Sequence, residues 1–222
     1  MWAGMAQAQG QCRLALVLAL DVSSSVDGQE YALQRDGLAA ALTDPDIQRA
    51  LLAGGPGSVV LAVYEWSGRR QSTLVLDWMP LRDTGDIGAA AQAIRAFPRS
   101  HTRFPTAMGY ALGYGATLLR RAPACDRKVI DVSGDGITND GFLPTHAYRH
   151  FPFEGVTVNG LAVLGADDGV LAYYRDEVRH GPGAFVETSE GYAGFRRAMT
   201  RKLLREIGGV MMGAAEQEMP PG

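Results

Sequence analysis

Asp21-Val22-Ser23-Ser24-Ser25 ends the most apolar stretch of the chain, Leu14 to Leu20, and sets one carboxylate and two alternating hydroxyls at a strand's carboxyl end. Asp21, Ser23 and Ser25 are hard oxygen donors suited to a magnesium ion. Only one of the three is charged, so a cation held there stays attractive to anions. The same residue types also cap helices and close turns, so this segment does not decide by itself. Two distant segments add to it. Thr106 stands at the head of an expected helix, and Asp135 follows another buried strand in Val129-Ile130-Asp131-Val132-Ser133-Gly134-Asp135-Gly136. Asp21 and Asp135 then flank one crevice at the carboxyl edge of a sheet, where ligands collect in open α/β folds.

The elements that position these residues follow from periodicity. Short continuous apolar runs alternate with helical periods, which predicts a Rossmann-like, doubly wound α/β fold. Its sheet is mostly parallel, of about six strands, with helices on both faces. Leu14–Leu20 reads as a central strand and Gln29–Leu42 as a helix with Tyr31, Leu33, Leu38 and Leu42 facing the core. Asp44-Pro45 ends it, and a helical turn near Ile47–Leu52 precedes the strand Ser58–Trp66. The polar Gly68–Gln71 predicts a hairpin to an antiparallel edge strand, Ser72–Trp78. A helix capped by Thr84 or Asp86 runs to Phe97, and an irregular loop from Pro98 to Pro105 delivers Thr106. Thr106–Arg121 has helical period, and its Gly109, Gly113 and Gly115 predict close approach to the sheet. Lys128–Val132, Val156–Leu164 and Ala184–Glu187 read as strands; Pro144–His150, Gly169–His180 and the segment from Tyr192 read as helices.

Composition bounds the function. The chain has 222 residues, 46% of them hydrophobic, which fits one domain. A net charge of −3 offers no basic field for nucleic acid. Arg196, Arg197, Arg201, Lys202 and Arg205 read as the solvated face of the last helix. No apolar run approaches the ~20 residues of a membrane span. Residues 1–11, with Ala6-Gln7-Ala8 in small-x-small form, read as the remnant of a secretory signal or a disordered start. Residues 12–209 form the expected domain and 210–222 a disordered tail with little to bury.

Cys12 and Cys125 precede the two strands that carry Asp21 and Asp135, at nearly equal distances. If those strands pair in parallel, about 4.8 Å apart, a disulfide is geometrically possible, and it would place the protein outside the cytoplasm. Two separate reduced thiols are the alternative.

Asp-x-Ser-x-Ser after the first strand, a threonine opening a later helix and an aspartate in Ser-Gly-Asp-Gly resemble the metal-ion-dependent adhesion site of von Willebrand factor A-type domains. The resemblance spans about Leu14 to Ile207. Tyr64-Glu65-Trp66-Ser67 and Ile130–Gly136 are similar to a bacterial, usually exported, branch of that superfamily, which implies a periplasmic or secreted location. Asp21, Ser23 and Ser25 correspond to the first motif, Thr106 to the threonine and Asp135 to the last aspartate. The resemblance implies a non-catalytic binding module. Its Mg2+, with Mn2+ as a substitute, accepts an Asp or Glu side chain of a protein partner. Pro105 stands where many members have glycine, a departure that bears on the loop carrying Thr106.

The chain has no Gly-x-Ser-x-Gly elbow, no His-Glu-x-x-His helix and no Walker or Gly-x-Gly-x-x-Gly loop after the first strand. Aspartyl phosphotransfer enzymes want a second Asp two residues after the first, where this chain has Ser23. The alternatives are a Mg2+-dependent hydrolase or phosphatase in the same crevice, and an assembly subunit for metal insertion into cofactors. His146 and His150 have helical spacing without a third ligand nearby. Asp131, inside a buried strand, must be hydrogen-bonded, protonated or at a core edge. Asn139 and Asp140 can orient metal-bound water or form a turn. Asp167 and Asp168 are expected to cap a helix, and Trp66 and Trp78 to pack.

Overall fold

A computed structural model describes residues 12–215, with side chains described as far as Gly208. The expectation for residues 1–11 lies outside the described residues. Six strands form one sheet: β1 (Cys12–Asp21), β2 (Val59–Trp66), β3 (Ser72–Pro80), β4 (Cys125–Gly134), β5 (Val156–Leu164) and β6 (Val186–Glu190). Their spatial order is β3-β2-β1-β4-β5-β6. Among the described strands only β2 and β3 pair antiparallel, as the polar Gly68–Gln71 turn predicts.

The uninterrupted apolar character of β1 has a direct cause, because alternate side chains enter two separate cores. Leu14, Leu16, Leu18 and Leu20 pack under α1 (Gly28–Leu42), α3 (Thr84–Ala96) and α7 (Phe195–Ala215), with α2 (Pro45–Leu52) beside them. Ala15, Val17 and Ala19 pack under α4 (Met108–Leu119) and α5 (Pro144–His150). The chain leaves β1 for α1 on one face and leaves β4 for α5 on the other. The carboxyl ends of β1 and β4 therefore border the crevice where crossovers diverge. Register places Leu20 opposite Ser133, so Asp21 and Asp135 emerge side by side.

Cys12 and Cys125 are opposite one another in that register and form a disulfide, with Cα atoms 4.5 Å apart. It joins positions 113 residues apart, and closing so long a loop stabilises by on the order of 4 kcal/mol in the chain-entropy account.

Several expectations are corrected. Leu33 is 40% exposed; the buried stripe of α1 runs through Tyr31, Gln34, Leu38 and Leu42 instead, because Gly37 abuts Phe195 and Arg196 and fixes the helix's rotation. The cap of α3 is Asp83, whose Oδ1 accepts the Asp86 N–H at 2.9 Å. Gly115 does approach the sheet, at Tyr64 and Ile130, whereas Gly109 and Gly113 make room for Phe142 and Phe151. The helix expected over Gly169–His180 is a short α6 (Val170–Tyr173) that widens into a π turn, Tyr174–Val178. β6 lies two residues later than its expected start. Tyr192–Gly194 is a 3-10 turn before α7. α7 continues to Ala215, into the segment expected to be a disordered tail, and residues 216–222 lie outside the described residues.

Candidate metal centre

Asp21 is the last residue of β1 and is fully buried. Its Oδ1 accepts the Ser23 N–H at 2.7 Å, a turn that aims the next hydroxyls back at the strand end. Ser23 Oγ lies 3.1 Å from Ser25 Oγ, and Ser25 Oγ donates to Asp135 Oδ1 at 2.7 Å. Four of the five expected residues are thus joined by hydrogen bonds, Ser23, Ser25 and Asp135 through their side-chain oxygens and Asp21 through the Ser23 N–H. The fifth closes beside them: Thr106 is 3% exposed, and a methyl on Gly136 would lie 3.6 Å from its Oγ1.

Thr106 is not in a helix. It precedes the α4 cap residue Ala107, and its backbone is held by the turn after Asp135. Its N–H donates to Asn139 Oδ1 at 2.9 Å, and its carbonyl accepts the N–H groups of Asn139 and Asp140 at 3.0 and 3.2 Å. Pro105 is accommodated in that irregular loop. Asn139 therefore positions Thr106, while Asp140 pairs with Arg69 at 2.6 Å.

Residues that sequence reasoning did not single out hold the loops. Arg99 Nη2 donates to the carbonyls of Val22, Ser23 and Val26 at 3.1, 3.0 and 2.7 Å, clamping the serine loop. Glu65, 2% exposed, accepts from Tyr31 and from the Ser100 N–H and hydroxyl, which anchors the Arg99 segment. Gln34 Nε2 donates to the Asp21 carbonyl at 2.8 Å. For Gln34 the signal was present: it lies three residues after Tyr31 and four before Leu38, on the helix's buried stripe. For Arg99 there was none, since its partners are backbone carbonyls more than 70 residues away.

Two buried carboxylates at one crevice create the electrostatic problem a cation solves. Burial first, and Asp135 second, push the Asp21 carboxyl up to about 7, and burial also raises Asp135. Asp21 Oδ2 and Asp135 Oδ2 are both buried with no hydrogen-bond partner among the described residues. A buried unpaired carboxylate oxygen is costly, and two of them beside three hydroxyls form a hard-oxygen set that fits a divalent cation such as Mg2+. No group of three or more His, Cys, Asp or Glu stands together as a metal cluster among the described residues. Ser24 and Ser25 are exposed, and a cavity of about 220 Å3 bordered by Glu30, Asp135 and Tyr192 opens beside the carboxylates, so the cradle is reachable from solvent.

The other tempting residues sit elsewhere. His146 and His150 line a small pocket with Phe142 and Phe151. Asp167 Oδ1 accepts the Gly169 N–H at 2.8 Å in a turn that precedes α6, whose N-cap is Gly169 with no side-chain cap, so the expected capping by Asp167 and Asp168 is corrected. Trp66 is fully buried, and Trp78 packs with its Nε1–H donating to the Leu118 carbonyl.

The doubly wound sheet is similar in fold to that of a solved von Willebrand factor type A structure. The chain belongs to the family described as "Protein of unknown function (DUF1194)", whose model matches residues 11–211. No curated protein matches it. Among solved structures it is similar to proximal thread matrix protein 1 from the mussel byssus, with TM-score 0.66 and 16% identity over 89% of this chain and 48% of that one. Another structure of that protein is described as having a zinc-occupied MIDAS motif, with TM-score 0.61 and 16% identity. It is also similar to a von Willebrand factor type A protein from Catenulispora acidiphila, with TM-score 0.63 and 16% identity over 89% of this chain and 43% of that one. The pilus adhesin SpaC from Lactobacillus rhamnosus GG matches with TM-score 0.65 and 14% identity over 90% of this chain and 31% of that one. The chain therefore spans half or less of the length of these proteins.

Proposed function

We propose that this domain is a non-catalytic binding module that holds Mg2+, replaceable by Mn2+, through Asp21, Ser23, Ser25, Thr106 and Asp135, and grips an Asp or Glu side chain of a partner protein. The observation that carries the reading is the pair of buried carboxylate oxygens, Asp21 Oδ2 and Asp135 Oδ2, left without partners beside a linked row of hydroxyls. A bound ion supplies Lewis-acid attraction for an incoming carboxylate. With two carboxylates and three neutral hydroxyls as donors, that attraction is only partly cancelled by the protein. The zinc-occupied MIDAS described for the mussel protein and the adhesin among the similar folds support metal-dependent adhesion over turnover. The Cys12–Cys125 disulfide supports a periplasmic or secreted setting.

Thermal unfolding with chelator and with excess Mg2+ tests the reading. An ion that binds only the folded state at 100 times its Kd adds about 2.7 kcal/mol, so the wild type should gain stability on adding Mg2+ and Asp135→Ala should not. An equal gain in both proteins would remove the ion from this cradle.

A further inference from the structure

Tyr174 lies fully buried across the strand ends behind the oxygen cradle. Its ring covers Gly160 of β5, where an added methyl would stand 2.5 Å from Cδ1. Its hydroxyl reaches Gly134 of β4, where an added methyl would stand 2.9 Å from the phenol oxygen and 2.7 Å from Asp21 Oδ2. Two glycines on adjacent strands thus form a trough for one tyrosine, and the trough ends at Asp21. A side chain at either glycine would displace the ring or the carboxylate. At that meeting point a buried hydroxyl and a buried carboxylate oxygen both lack a partner among the described residues, although buried polar groups are rarely left unpaired. The backbone is built for this approach. α6 widens into a π turn beginning at Tyr174, with the Arg179 N–H donating back to the Tyr174 carbonyl at 3.0 Å, and such turns recur at functional sites.

We infer that Tyr174 is a positioning residue of the metal centre, its hydroxyl donating to Asp21 Oδ2 directly or across one water. The inference rests on the metal-binding reading of Asp21. With Oδ1 held by the Ser23 N–H and Oδ2 held by the phenol, the carboxylate is fixed at both oxygens and each keeps lone pairs for a cation or its water. The donor's neutrality matters. A lysine or arginine in the trough would neutralise Asp21 and compete with the ion, whereas a phenol orients the carboxylate without changing the charge of the cradle.

The test is Mg2+ binding by calorimetry for wild type, Tyr174→Phe and Asp21→Ala, with thermal unfolding of each in chelator. Wild type should bind and Asp21→Ala should not. Tyr174→Phe, which keeps the ring, should bind about tenfold or more weakly with its metal-free unfolding temperature unchanged. Adding Mg2+ should also alter the near-ultraviolet tyrosine absorbance of wild type and of Tyr192→Phe but not of Tyr174→Phe. Wild type and Tyr192→Phe keep the trough intact, so a Mg2+-induced change missing from both while they bind the ion would overturn the role even if Tyr174→Phe folds poorly. Wild-type affinity in Tyr174→Phe together with the same Mg2+-induced absorbance change as wild type, with binding lost in Asp21→Ala, would overturn the role of Tyr174 and leave the metal centre standing. Absence of binding in wild type would overturn both.

Discussion

Lys202 of α7 and Asp131 of β4 form an ion pair with Nζ 2.7 Å from Oδ1, and both side chains are fully buried. Glu206 joins them, its Oε1 at 2.7 Å from the same ammonium and 2.9 Å from Asn159 Nδ2. The pair ties the last helix to the middle of the sheet and gives Asp131 its place. It also corrects the reading of the basic stripe: Lys202 belongs to the core, while Arg196, Arg197, Arg201 and Arg205 are exposed. Lys202→Met should cost about 3–5 kcal/mol, because it leaves the buried Asp131–Glu206 pair, which still carries a negative charge when Asp131 is protonated, without its cation. Urea unfolding measures this; a loss below about 1 kcal/mol would mean that the pair holds little.

The same cluster sets a pH dependence. Burial first, and Glu206 second, push the Asp131 carboxyl up to about 8 against the pull of Lys202, from an ordinary 3.8. The folded protein then keeps a proton that the unfolded chain releases. The associated stability is fully present below about pH 4 and is lost as pH rises toward 8. Denaturation of the metal-free protein at pH 5, 6.5 and 8 should show stability falling, and Asp131→Asn should have a shallower slope. Equal slopes would place the retained proton elsewhere.

Much of this was legible locally. A run of seven apolar residues ending at Asp21 reads as a buried central strand, and parallel pairing with the strand before Asp135, conditional in the sequence, is what the register shows. The buried lysine was legible too, had the spacing been followed without regard to charge. Phe195, Met199, Lys202, Leu203, Glu206 and Ile207 recur at the three- and four-residue intervals of one helix face, and Asp131 needed a cation. Thr106 was harder. Its conformation is dictated by Asn139 and Asp140, more than 30 residues on, and no periodicity reports a loop held by another loop. The π turn at Tyr174 was equally hidden, since its apolar spacing reads as an ordinary helix.

Arg99 gives a third prediction. It ties together the carbonyls of Val22, Ser23 and Val26 from the loop that also carries Thr106, so it couples the two halves of the cradle. Arg99→Met keeps much of the stem's packing but removes the donors, a loss on the order of 1–3 kcal/mol for carbonyls served by a charged group. The effect should be local. Amide exchange should quicken across residues 22–27 with little change in β4 and β5, and Mg2+ affinity should fall. Unchanged exchange in that loop would show that the turn from Asp21 to Ser23 holds by itself.

Metal affinity should depend on pH through Asp21. Its carboxyl, raised to about 7 by burial and then by Asp135, must be ionised to hold a cation, so proton and metal compete for the same oxygens. In the metal-free protein a raised carboxyl contributes stability below its ordinary 3.8 that is lost as pH climbs to about 7. Mg2+ reverses that loss, and its stabilising increment should be largest at and above pH 7. Below pH 7 the affinity should fall by up to about tenfold per unit as one proton is displaced for each ion bound. Calorimetry in two buffers of different ionisation enthalpy counts those protons. About one should be released near pH 6 and almost none at pH 8, and Asp21→Asn should abolish the difference. Equal affinity at pH 5.5 and 8 with no proton released would mean that Asp21 is already ionised in the metal-free protein or does not hold the ion.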